Sequence, residues 1–354
     1  MDNKITKRRL SDFLAYEWIM MIIIAVVAMI VWELVYTMAG VRLSVGQQFK
    51  FYFDETVYGN SSAVVRLLDK DQALSYDILE LNAESLSSDF NVLSTRLSIQ
   101  EGDILITDCK DPTEGAEKPE EVEDKKIRLR TMVDSYHGYA FEELLFDAKE
   151  YLLKFMDEEN KTVKDGTVFN SVQDGIFDAE KIEKSFRSRM KKDNRFRKES
   201  DKKIGIGLET QRIERLYKEV VDFGKLLEDN TENLFYRYTK FSQSRDAQEK
   251  ESDKQAWADY TQSEIKRLTD KGIAGTVNTE TNETEFIYAI NLGAMPTVEG
   301  KTNPSDLCTM RNAESAENVC IMVFDFRSYQ PHLQFETISF INTIVRNCST
   351  LLDA

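Results

Sequence analysis

The sequence predicts an α/β fold: a parallel-type sheet lobe, split by a largely helical insertion and preceded by one transmembrane helix. Three observations predict it. Trp18 to Trp32, "WIMMIIIAVVAMIVW", is an uninterrupted apolar run near the start. Between Gln48 and Asp108 the pattern alternates strand, helix, strand, helix, strand with short links, as parallel strands flanked by helices do. From Val133 to Gly272 the apolar period turns helical, and strand patterning returns only at Phe286 and Val319.

With "LVYTMAG" after Glu33, the first run reaches the ~20 residues that a bilayer span needs. Trp18, Trp32 and Tyr36 stand where interfacial aromatics belong, and Glu33 can reach the headgroups. Residues 18–40 are therefore expected to span the cell membrane and contact its lipid. Lys4, Lys7, Arg8 and Arg9 precede the span, whereas only Arg42 and Lys50 follow it closely. The positive-inside rule makes residues 1–17 a cytoplasmic tail and puts the main domain outside. Thr37 and Ala39 offer a tolerable cleavage spacing, but the run is longer than a signal-peptide core, so a retained anchor is expected.

After the anchor, "FKFYF" (Phe49 to Phe53) reads as a strand. Asn60 or Ser61 then caps a helix whose Val64, Leu67 and Leu68 share a face. "YDILEL" (Tyr76 to Leu81) is the second strand. Phe90, Leu93 and Leu97 mark a second helix, which Gly102 ends so that "DILITD" can enter a buried sheet. The acidic "DPTEGAEKPEEVEDKK" follows as a surface excursion. "FEELLFDAKEYLLKFM", "FDAEKIEKSFRSRM", the long stretch from Leu208 to Phe241 and "AWADYTQSEIKRL" continue in helical period. "TEFIYAINLGAM" and "ENVCIMVFDF" are strands, and a last helix begins at Pro331 with Ile338, Ile341, Val345 and Cys348 on one face. Residues 42–132 and 280–354 thus form the α/β lobe and residues 133–279 a helical lobe.

The chain has 354 residues and a net charge of −16, which argues against affinity for nucleic acid. Of the four cysteines, Cys308 and Cys320 are close enough in sequence to bridge a loop, while Cys320 and Cys348 also suit core positions. Only His137 and His332 are histidines and no CxxC occurs, so no metal site is expected. No GxSxG, HExxH or phosphate-binding glycine loop occurs; "IGIGLE" lacks the strand-turn-helix setting. The expectation is a non-catalytic protein without a cofactor. The run from Lys181 to Lys203 is basic, but its interspersed acids suit a solvated helix face with internal ion pairs.

"TRLSIQEGDILITD", "FIYAINLG" and "VCIMVFDFRSYQPHLQFETISFINTIV" resemble segments of bacterial extracytoplasmic solute-binding proteins of the second structural type. The first is similar to their Gly-Asp step before an apolar third strand, and the last to their strand and long C-terminal helix. The resemblance implies non-catalytic capture of a small solute, a carbohydrate among the candidates, for a transporter permease or other membrane partner. The chain departs from that pattern in its anchor, its helical middle and its scarcity of glycine, 15 residues in all.

In open parallel sheets, ligands bind beyond the carboxyl ends of strands where strand order reverses. That nominates Asp54, Glu55 and Tyr58 after the first strand, Thr107 and Asp108 after the third, and Asn291 after "FIYAI", with Tyr52 and Tyr58 able to stack on a sugar. An open cleft lined by these residues would mark solute capture. A cleft filled by inward-packed tyrosines would mark a surface-exposed structural or protein-interaction module instead.

Overall fold

The computed structural model describes residues 7–39, 45–86, 90–109, 138–157, 167–238, 276–278, 283–326 and 335–353, with a few isolated positions between them. Residues 256–267 of the predicted helix, the helix start at Pro331 and the acidic excursion lie outside the described residues. The chain divides into two compact units, Met1–Ser44 and Val45–Ala354.

The first unit is helix α1 (Lys7–Ala39). Its stretch Trp18–Val35 has a mean hydropathy of 2.6 and is not buried by protein, which makes it long and apolar enough to cross a membrane.

The second unit is an α/β domain. Strand β1 (Gln48–Phe53) leads through β2 (Val57–Gly59) to helix α2 (Ser61–Lys70). Asn60 caps α2 by accepting from the Ala63 N–H at 3.1 Å. Strand β3 (Glu80–Ser85), helix α3 (Phe90–Ser98) and strand β4 (Ile104–Asp108) follow, then helices α4 (Phe141–Leu153), α5 (Ala179–Arg189) and α6 (Glu199–Leu227). Strands β5 (Phe235–Tyr238), β6 (Thr276–Asn278) and β7 (Glu283–Asn291) precede a short helix α7 (Pro304–Leu307), β8 (Cys308–Met310), β9 (Val319–Val323) and helix α8 (Glu336–Cys348).

The sheet runs β3-β1-β4-β9-β7-β5, with β6 also paired to β7. Only β3-β1-β4 are parallel; β9, β7 and β5 each add antiparallel. The parallel-type expectation therefore holds at one end, and the sheet as a whole is mixed. The second strand is Glu80–Ser85 rather than Tyr76–Leu81, because the edge position takes the half-exposed "ELNAES". "FYRY", which the sequence pattern extends as helix, is strand β5, held by its antiparallel pairing to β7.

Alternation along β1 divides the core. Phe49, Phe51 and Phe53 face α2, α4, α6 and α8 in one large apolar cluster, while Tyr52 faces α3 in a second with Leu105, Met322 and Phe324. Phe340 of α8 lies 5.7 Å from Phe49 and 5.3 Å from Phe51, ring to ring. Helix α8 is buried almost all round, as a central helix is. The residues assigned to an α/β lobe and a helical lobe share this core within one compact unit, so α4 and α6 are layers on the sheet.

Gly102 ends the α3–β4 link with φ +129°, and a Cβ there would come within 2.6 Å of the Tyr52 ring. Position 102 therefore requires glycine on both conformational and packing grounds. "IGIGLE" lies inside α6, where Gly205 seats the rings of Phe186 and Phe196; its glycine serves packing.

Candidate functional site

The strand order reverses between β1 and β4, and Asp54, Thr107 and Asp108 lie at the carboxyl ends of these strands. Asp54 follows β1 with its N–H bonded to the Ile106 carbonyl at 2.9 Å. Thr107 on β4 pairs in register with Cys320 on β9, which pairs with Asn291 on β7. Thr107, Cys320 and Asn291 therefore form one row on the α3 face, with Asp54 bonded to its first member.

The polar atoms of that row are engaged in two groups, one around Asp54 and one around Asn291. Asp54 is 6% exposed; its Oδ2 accepts from Thr107 Oγ1 at 2.7 Å and Thr56 Oγ1 at 3.3 Å, and its Oδ1 from the Glu55 N–H at 2.8 Å. Asn291 Oδ1 accepts from the Gly293 N–H at 3.0 Å, and Asn291 Nδ2 donates to the Tyr236 hydroxyl at 3.5 Å. Tyr236 in turn donates to Asn318 Oδ1 at 2.8 Å. Between the two groups lies a disulfide, Cys109–Cys320, whose Cα atoms are 6.2 Å apart. The loop bridge offered for Cys308 and Cys320 does not form: antiparallel pairing of β4 with β9 brings Cys109 beside Cys320, and Cys308 and Cys348 are buried thiols.

The other nominees are placed differently. Tyr52 is fully buried, with its ring against Phe324 and beneath Gly102, because alternation with Phe51 and Phe53 turns it into the second core cluster. Burial, then the nearby Glu101 carboxylate, raises its hydroxyl pKa. Tyr58 is 58% exposed on the β2–β8 ribbon, and the Arg311 guanidinium lies 5.1 Å over its ring. Glu55 and Asp108 are half-buried at the rim. The residues nominated for a stacking cleft thus do not converge on one open surface.

Two further features have no local sequence signal. A cavity of about 160 Å³ between α5 and α6 is lined by Gln173, Asp174, Phe177, Thr210, Glu214 and Tyr217. The Tyr217 hydroxyl is already engaged by the carbonyls of Val168 and Ser171, at 2.5 and 2.8 Å.

The second feature is a buried ionic cluster at the opposite end of β1. Glu209 on α6 is fully buried and bonds Arg189 of α5 at 2.6 Å and the Tyr76 hydroxyl at 2.8 Å. Arg212, one turn on, bonds Glu336 of α8 at 2.9 Å and Tyr151 of α4 at 3.2 Å. Asp77 bonds Arg189 and, at 2.8 Å, Arg195. Burial alone would raise the Glu336 carboxyl, but Arg212 outweighs it and lowers the pKa to about 2. A perturbed carboxylate such as Glu336 often marks an active site, but here it is locked to Arg212 across a helix packing boundary, and the cluster's ion pairs fix how α4, α5, α6 and α8 meet. Among the described residues no group of three or more His, Cys, Asp or Glu side chains could hold a metal ion.

No family model, curated protein or solved structure matches the chain.

Proposed function

We propose that the chain is a single-span membrane protein, N-terminus in the cytoplasm and α/β domain outside, that acts by non-catalytic recognition of another surface or membrane protein. One observation carries the recognition reading: Asp54 and Thr107, which would meet a small solute, bond each other, Asn291 bonds Gly293 and Tyr236, and Tyr52 is a core side chain. The topology has two independent supports. Lys4, Lys7, Arg8 and Arg9 precede the apolar helix, and a structural disulfide suits an oxidising space beyond the membrane.

A second reading is small-solute recognition for a transporter, as the resemblance to solute-binding proteins implies. It is favoured by the parallel order β3-β1-β4, whose switch point is the ligand-binding place in open α/β sheets. One experiment separates the two. Residues 45–354 are heated against panels of sugars, amino acids, polyamines and peptides, and a photo-crosslinker is placed at Tyr58 of the full chain in intact cells. The interaction reading expects no saturable thermal shift and one specific protein adduct. A saturable rise of several degrees with one solute class, lost in Asp54→Ala, would overturn it in favour of solute capture.

A further inference from the structure

We propose that the basic elbow joining α5 to α6 is a docking surface for anionic phospholipid in the membrane that anchors the chain; this inference rests on the membrane-anchored reading above.

The charge distribution comes first. Between Asp178 and Ile206 the sequence holds eleven Lys or Arg against six Asp or Glu, in a chain whose net charge is −16. Internal pairing engages part of this excess: Arg187 binds Glu183 and Glu199, Arg195 binds Asp193 and Asp77, and Arg189 binds Asp77 and Glu209. Lys184, Lys191, Arg197, Lys198 and Lys203 remain exposed and form no ion pair among the described residues. Next to Lys203, Ile204 is 64% exposed at the start of α6. Exposed cations close in sequence to a projecting apolar side chain suit a headgroup boundary, where lysines meet phosphate and the side chain enters the acyl edge.

The covalent reach of the chain comes second. Gln47 Nε2 donates to Asp193 Oδ2 at 3.2 Å, and Asp193 lies in the elbow itself, between Lys191 and Arg195. Gln47 is also only eight residues beyond Ala39, the last residue of the apolar helix. Eight residues extend no farther than about 29 Å. Along the chain, the residue that contacts the elbow at Asp193 is therefore separated from the apolar helix by a short tether. A chain of net charge −16 is repelled overall by anionic lipid, and the exposed cations of this elbow are its local attraction.

The test uses the full chain in nanodiscs of phosphatidylcholine, with or without phosphatidylglycerol. An environment-sensitive dye is attached at Ile204→Cys; Cys308 and Cys348 are buried and the other two cysteines are bonded. Spin-labelled lipid should quench the dye in phosphatidylglycerol discs only, and high salt should relieve the quenching. At roughly five-fold per charge, Lys191→Gln/Lys198→Gln/Lys203→Gln should lower the docked-to-free ratio about a hundred-fold. Release by soluble inorganic polyphosphate would support phosphate as the recognised chemistry. Equal quenching in both lipid compositions, or quenching unchanged in the triple variant, would overturn the proposal, as would polyphosphate binding without any lipid contrast. Failure of the chain to enter the discs would overturn the anchor as well, whereas entry without contrast overturns the elbow alone.

Discussion

Removing Arg212 tests whether the buried ionic cluster holds the helices as the geometry requires. In Arg212→Met, Glu336 loses its 2.9 Å partner while staying almost wholly buried, whereas Glu209 keeps Arg189 and Tyr76. Leaving one buried charge unpaired costs about 3–5 kcal/mol. That is a large fraction of the ~5–15 kcal/mol that holds an ordinary domain together. Urea denaturation of residues 45–354 at pH 7 should show a loss in this range. Arg212→Met/Glu336→Leu should recover more than half of it, because the apolar pair leaves no orphaned charge. The sign with pH is also fixed. Glu336 has a folded pKa of about 2, below its ordinary 4.5, so its contribution is present above 4.5 and is lost as pH falls toward 2. Without Arg212, that carboxyl can take a proton when folded, so the variant's deficit should shrink on acidification. A single-variant loss below about 1 kcal/mol, or a double variant equal to the sum of the singles, would refute this account of the cluster.

Glu142 should behave oppositely with pH. Both its oxygens accept from the Ile287 N–H, at 2.9 and 3.1 Å, beside the irregularity at Tyr236/Arg237 in β5, and burial raises its pKa to about 7. Its stabilising contribution is full below 4.5 and lost as pH rises through 7, a decline of about 3 kcal/mol at ~1.4 kcal/mol per unit. Glu142→Gln, which retains an acceptor, should flatten that decline in denaturation curves taken at pH 5 and 7.5. The Cys109–Cys320 bond closes a loop in the unfolded chain, and over a separation of 211 residues the chain-entropy model gives its loss a destabilisation of about 5 kcal/mol. Cys320→Ala should show most of it, and two thiols should titrate in the unfolded, unreduced wild type. Gly102→Ala places a Cβ 2.6 Å from the Tyr52 ring at φ +129°, so a loss of about 1–3 kcal/mol should appear as a lowered Tm.

Much of the fold is legible in local pattern, and its failures have physical causes. The apolar runs of β1, β4, β7 and β9 and the Asn60 cap carry their own signals. Strand β5 does not: four residues after a long helix become strand only through β7, and edge strand β3 is too polar to announce itself. The disulfide partner was hidden for the same reason, since Cys109 and Cys320 meet through antiparallel pairing of β4 with β9. At the candidate site the sequence nominates Asp54, Thr107 and Asn291 singly, as residues after strand ends; the structure bonds Asp54 to Thr107 and sets Asn291 in the row with Thr107. What the sequence could not reveal is that Asp54 and Thr107 bond each other and that Asn291 bonds Gly293 and Tyr236. The cluster was equally invisible, because Arg189 and Asp77 lie 112 residues apart in the chain.

The single disulfide also determines what proteolysis can release. Cys109 and Cys320 bracket the acidic stretch and the helical layer, everything from residue 110 to 319. A protease that cuts once anywhere in that interval produces two fragments still joined by one sulfur–sulfur bond. The piece bearing α8 then stays attached to the piece bearing the apolar helix. A single cut between Ala39 and Cys109 parts the apolar helix from everything the bond holds, whereas a cut within the interval frees the α8 piece only once that bond is reduced. Nicked and intact chains would consequently migrate together on a non-reducing gel and separate once thiol is added.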